Sequence, residues 1–105
     1  MTQGIKAAAV ILLAASLAGL SFAQNDAAAL YKTKCQMCHG ADGKGQTPMG
    51  PKLGVRDFHS PEVAKESDSQ FFSITKNGKN KMPAYNGKLT DDQIKDLVKY
   101  IRSLK

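Results

Sequence analysis

The sequence predicts an all-α fold of three main helices plus a short helical turn, and three observations carry that expectation. Ser67 to Gln70 and Thr90 to Gln93 each have the spacing of a capping box, in which the two side chains accept one another's backbone N–H groups. Apolar residues recur at helical period after both boxes and again ahead of Cys35. No segment alternates apolar and polar residues with strand-type composition, so no sheet is expected.

In chain order, residues 1–23 read as a secretory signal peptide. Lys6 makes a weakly basic start, Ala7 to Leu20 run without a charge, and Ser21 and Ala23 are small residues at cleavage positions. The apolar run is shorter than the roughly 20 residues of a spanning helix, which favours cleavage after Ala23 over an uncleaved anchor. That leaves residues 24–105 as one exported domain. No cysteine lies near the cut to carry a lipid.

The first helix is expected to follow an N-cap at Asn25 or Asp26, with Ala27, Leu30, Tyr31 and Lys34 on one face running into Cys35. A short turn is expected after Ser60, with Pro61 at the first helical position. The second helix follows Ser67, faces Phe71 and Ile74 the same way, and stops at Asn77 and Gly78. The third follows Thr90. Two acids favour its positive end, Ile94, Leu97, Val98, Ile101 and Leu104 hold the helical period, and Arg102 and Lys105 suit its far end. Between the first two helices lies a long Gly- and Pro-bearing stretch, residues 39–66, of the kind that wraps something functional.

Fifteen basic side chains against 9 acidic ones give a net charge of +6. The lysines are dispersed, with no arginine-rich run and no basic block interleaved with aromatics, so nucleic acid is not expected as a partner. An acidic protein surface or anionic lipid fits better. No heptad seam suggests a coiled-coil dimer, and a monomer is expected. The apolar complement is thin for a stable fold, and chains this short tend to need a staple. A disulfide between Cys35 and Cys38 would close too small a loop to supply much.

"CQMCH" offers another staple. On a helix, Cys35, Cys38 and His39 stand at i, i+3 and i+4 and share a face. Two thiols can add to the vinyl groups of a haem while the imidazole reaches its iron, and this spacing is the c-type haem attachment signal. A thioredoxin-like dithiol needs a βαβ context absent here. A structural zinc site needs four ligands, and His59 is the sole histidine left.

One axial position then remains for catalysis, gas binding or a second protein ligand. Met37 lies inside the attachment loop and points away from the shared face; Met49 is close in sequence to His39. Met82, stiffened by Pro83 in a glycine-flanked segment, is far enough along to return over the opposite haem face. Methionine is more often core filler. His59 as ligand, or an open position serving a peroxidase or gas-binding sensor with Arg56 nearby, are the alternatives.

In the order "ALYKTKCQMCHG", "GPKL", "ITKNGKNKMPAY" and "LTDDQIKDLVKYIRSL", the chain resembles the small, exported, single-haem class I c-type cytochromes, especially c6-like and c555-like forms. The resemblance implies an all-helical cytochrome c fold wrapped round one haem c, thioethers to Cys35 and Cys38, and axial ligands His39 and Met82. It implies that the Pro51 carbonyl accepts a hydrogen bond from the other nitrogen of His39. Ala27 stands where the family usually has glycine, in a contact between the first and last helices that also involves Tyr31, Leu97 and Tyr100. It implies an electron carrier rather than an enzyme. Lys44, Lys52, Lys76, Lys79 and Lys81 would then form a basic rim for acidic redox partners, a membrane reductase or a terminal oxidase.

Overall fold

The computed structural model describes residues 22–105. The basic and apolar parts of the expected signal, in residues 1–21, lie outside those described. Within the described residues six helices follow one another: α1 (Phe22–Lys34), α2 (Gln36–His39), α3 (Gly50–Leu53), α4 (Pro61–Ala64), α5 (Asp68–Asn77) and α6 (Asp91–Ser103). The described residues hold no strand, only isolated bridges pairing Lys79 with Met82 and Asn86 with Leu89. Among them no helix is long and apolar enough to cross a membrane.

The two capping boxes form as expected. Ser67 Oγ accepts from the Gln70 N–H at 3.1 Å and Gln70 Oε1 from the Ser67 N–H at 2.8 Å; Thr90 and Gln93 repeat the pattern at 3.1 and 2.8 Å. Ser60 caps α4, accepting from the Val63 N–H, with Pro61 in the first turn. Gly78 ends α5, its N–H bonded to the Ile74 carbonyl at 2.8 Å.

The expected start of the first helix needs correction. α1 already includes Phe22, so Asn25 and Asp26 lie within it rather than capping it. Alanine is the strongest helix former, and Ala23 and Ala27 to Ala29 flank both candidate caps. α3 was not foreseen. Pro51 sits in its first turn, and Gly54 closes it in the left-handed conformation at φ 69° and ψ 32°.

The long helices cross over a small core. α1 packs on α6, and α5 packs on α6 from another side. Tyr31, Leu89, Ile94 and Leu97 form one buried cluster; Val63, Phe71 and Val98 form a second. Full burial of such side chains contributes about 1.5–3 kcal/mol each, so few of them make a modest total. Ala27 is only 3% exposed, so its methyl group is taken into the interior. The Tyr31 and Tyr100 rings, one from each crossing helix, meet at 5.2 Å and 53°.

Arg102 bolts the far end of α6 to the start of α5. Its Nε donates to Asp68 Oδ1 at 3.0 Å, one terminal nitrogen to the Ala64 carbonyl at 3.1 Å, and the other to the Glu66 carbonyl. The guanidinium also lies 4.2 Å from the centroid of Phe71. A cation over a ring, with one carbonyl from the end of α4 and one from the connection to α5, makes this more than a surface ion pair.

Because Thr90 holds the only hydroxyl in its cap, Thr90→Ala should cost about 1 kcal/mol. For a domain of this size that is a fall of about 4–8 °C in Tm, read by thermal circular dichroism.

Candidate functional site

The site begins where α1 ends. The Cys35 N–H bonds the Tyr31 carbonyl at 2.9 Å, and the Cys35 carbonyl accepts from Cys38 at 3.2 Å and His39 at 3.0 Å. The i, i+3, i+4 arrangement is therefore present, though the helix is not continuous. It breaks at Cys35, where φ is −120°. Just upstream, Thr33 Oγ1 bonds back to the Ala29 and Leu30 carbonyls, a pattern that bends helices.

Three side-chain bonds clamp this segment. Tyr31 Oη donates to the Gly40 carbonyl at 2.6 Å, Thr47 Oγ1 to the Cys38 carbonyl at 2.9 Å, and Tyr85 Oη to the Lys34 carbonyl at 3.0 Å. Thr47 in turn accepts from the Gly50 N–H at 2.9 Å. A Cβ at Gly50 would lie 2.0 Å from the Gly45 carbonyl oxygen, so only glycine lets these loop segments approach.

Cys35, Cys38, His39 and Met82 all line one cavity of about 310 Å³. That volume falls within the range of small-molecule sites, roughly 300–1,000 Å³. Its walls are mostly apolar, from Val63 and Phe71 to Leu97 and Ile101, so the cavity opens through the middle of the core. Both cysteines are free thiols, half-buried. His39 Nδ1 is buried with no hydrogen-bond partner, and the imidazole stacks on Phe58 at 4.7 Å and 15°.

Burial dominates the electrostatics. Desolvation pushes the Cys35 thiol up to about 11; Cys38 adds to the rise and Lys34 opposes it, so the thiol is protonated at neutral pH. Burial alone pushes His39 down, which keeps its ring uncharged with a lone pair to offer. Tyr85 is pushed up by burial and then by the two cysteines, so its hydroxyl remains a donor. A thiol pair, a neutral imidazole and a thioether around an apolar cavity fit a haem in donor type. Among the described residues no three or more His, Cys, Asp or Glu side chains are grouped to hold a metal ion on their own.

Other expected residues fall elsewhere. The His39 to Pro51 bond is not formed: Pro51 is exposed, and its carbonyl accepts from the Gly54 N–H at 3.4 Å, closing α3, while Phe58 holds the imidazole ring. His59 is exposed and outside the cavity lining, its Nε2 at 2.7 Å from the Asp42 carbonyl oxygen. Arg56 reaches the cavity but is paired with Glu66 at 3.0 Å. Met37 is 76% exposed, turned away as expected, and Met49 is 39% exposed.

The basic rim differs in membership. Lys79 and Lys81 line the cavity, joined by Lys34 and Arg56, whereas Lys44, Lys52 and Lys76 do not. Lys76 pairs with Asp91 at 3.1 Å. Tyr85, in "KMPAY", is a cavity residue to which the sequence assigns no role. Its one local signal is an aromatic hydroxyl three residues past Met82. Phe58 and Thr47 carry no comparable local signal.

Residues 22–101 match the family described as "Cytochrome C oxidase, cbb3-type, subunit III". The chain is 31% identical over 74 residues to cytochrome c6 of Porphyra purpurea, covering 70% of this chain and 64% of that protein. Cytochrome c6 of Thermosynechococcus vestitus is 29% identical over 94 residues, covering 90% of this chain and 81% of the relative. A solved c-type cytochrome superposes with a TM-score of 0.70 at 36% identity, covering 76% of this chain and 98% of its own.

Gly78 sits at φ 78° and ψ 166°, a region open to glycine almost alone. A Cβ there would lie 2.8 Å from the Met82 carbonyl oxygen and 3.0 Å from the Ala84 nitrogen. Gly78→Ala should therefore destabilise by about 1–3 kcal/mol, measured as a lowered midpoint in denaturant unfolding.

Proposed function

The chain belongs to the class I c-type cytochromes, in the family described through cbb3-type oxidase subunit III, with haem c as its cofactor, and on that premise we propose an exported, monomeric electron carrier whose iron is held by His39 and Met82. Electron transfer is the function its cytochrome c6 relatives indicate. The observation that carries the ligation is that Met82, from a distant loop, lines the same cavity as Cys35, Cys38 and His39.

When bound, haem c supplies a one-electron couple at iron and a covalent anchor that is not lost outside the cell. Cys35 and Cys38, on one face of the α1–α2 junction, would hold the group through the two thioethers. Cys35, kept protonated by burial, carries both the sulphur and the proton that addition to a vinyl group requires. His39, kept uncharged by burial, would offer a ring nitrogen to the iron. Met82 would offer a soft sulphur, and a histidine–methionine pair raises the potential. Two protein ligands leave no place for a substrate, so the residues fit electron passage with little rearrangement. A peroxidase or sensor would want a free distal base. His59 is outside the cavity lining and Arg56 is paired with Glu66.

Export rests on the basic start, the uncharged run and the small residues before Gln24. The matched region begins at residue 22, close to the proposed cut after Ala23. For partners, Lys34, Lys79 and Lys81 give the cavity mouth a positive rim that suits the acidic face of a membrane reductase or terminal oxidase.

The ligation is tested by optical spectra of the periplasmically expressed protein with and without carbon monoxide. Wild-type reduced protein should bind little, whereas Met82→Ala should bind it stoichiometrically and show a lower reduction potential; an unchanged potential means another ligand. Steering is tested by stopped-flow electron exchange with an acidic redox partner. Its rate should fall steeply as salt shortens the Debye length to about 10 Å near 0.1 M, and a flat profile removes the rim from the account.

A further inference from the structure

The loop that carries Met82 is held from α5 at both ends. Gly78 donates to the Ile74 carbonyl, and after the loop Tyr85 and Asn86 donate to the Thr75 and Lys76 carbonyls at 3.1 and 3.0 Å. Lys79 and Met82 exchange backbone bonds at 3.2 and 2.9 Å, which shape the loop internally. None of these bonds fixes its distance from the segment that bears Cys35, Cys38 and His39.

One side chain spans that gap with good geometry. Tyr85 Oη reaches the Lys34 carbonyl at 3.0 Å, across 51 residues of sequence, while its ring lines the cavity. Lys34 is the last residue of α1 and immediately precedes Cys35. Its carbonyl is among the last four of a helix, which have no intrahelical partner, so it is free to accept. The loop's other side-chain bond, Lys81 Nζ to the Lys52 carbonyl at 3.4 Å, is longer, is carried on a flexible stem and ends on α3 rather than on the attachment segment. Pro83 stiffens the backbone between Met82 and Tyr85, so movement at Tyr85 is passed to Met82.

We propose that the Tyr85 hydroxyl tethers the Met82 loop to the attachment segment, which makes Tyr85 a positioning residue for the Met82 sulphur. This rests on Met82 being the sixth ligand. The tether acts from the edge of the site, through the Lys34 carbonyl, and sets how often the loop swings away.

Tyr85→Phe removes the bond and keeps the ring. In reduced holoprotein it should speed carbon monoxide entry about three- to tenfold, the scale of one hydrogen bond, and weaken the far-red band of methionine-to-iron charge transfer in the oxidised form. Thr90→Ala, which loses similar stability at the start of α6, should leave both readings near wild type. Unchanged entry in Tyr85→Phe, even with a lowered unfolding midpoint, overturns the tether, as does an equal acceleration in Thr90→Ala. If wild type already takes up carbon monoxide as fast as Met82→Ala, the ligation itself is wrong and the tether falls with it.

Discussion

The buried hydroxyl of Tyr31, donating to the Gly40 carbonyl at 2.6 Å, is the contact on which the rest of the site depends. Tyr31 is only 1% exposed, and its ring meets Tyr100 of α6. One residue thus joins the crossing of the terminal helices to the segment that presents Cys35, Cys38 and His39. A donor this deeply buried is costly to leave unpaired, and burial, with Cys35 next in effect, pushes its proton affinity further up. The attachment segment therefore has little freedom to move independently of the helix crossing.

The fold is organised around an interior it does not fill with its own side chains. Leu97, Val63 and Phe71 belong to the buried clusters and to the cavity wall at once. In a chain this short, conformational entropy consumes most of what burial contributes. A covalently tethered haem supplies the apolar contact that a larger protein would draw from more leucines. Capping boxes and the Arg102 cluster keep the helix ends in place around it.

Charge is arranged by depth. Cationic side chains gather where the cavity meets solvent, with Glu66 held against Arg56 as its carboxylate partner there. Inside, burial penalises the charged forms of two groups, so that Cys35 stays a thiol and His39 an imidazole. The apolar walls of the cavity are what desolvate both groups.

What sequence alone determined here is local. Both capping boxes, the stop at Gly78, the turn at Pro61 and the shared face of Cys35, Cys38 and His39 depend on residues within five positions of one another, which local sterics and hydrogen bonding specify. Even so, local signals misplaced the start of α1, because the alanines around Asn25 and Asp26 favour helix more than either residue favours ending it. Tertiary structure alone decided which surface each side chain meets. Phe58 stacking on His39, the Pro51 carbonyl turned to Gly54, Lys76 taken by Asp91 and Tyr85 bonded to Lys34 all depend on how distant segments are brought together. No period or spacing encodes such encounters. They follow from the mutual packing of α1, α5 and α6, which is set by the summed burial of many side chains.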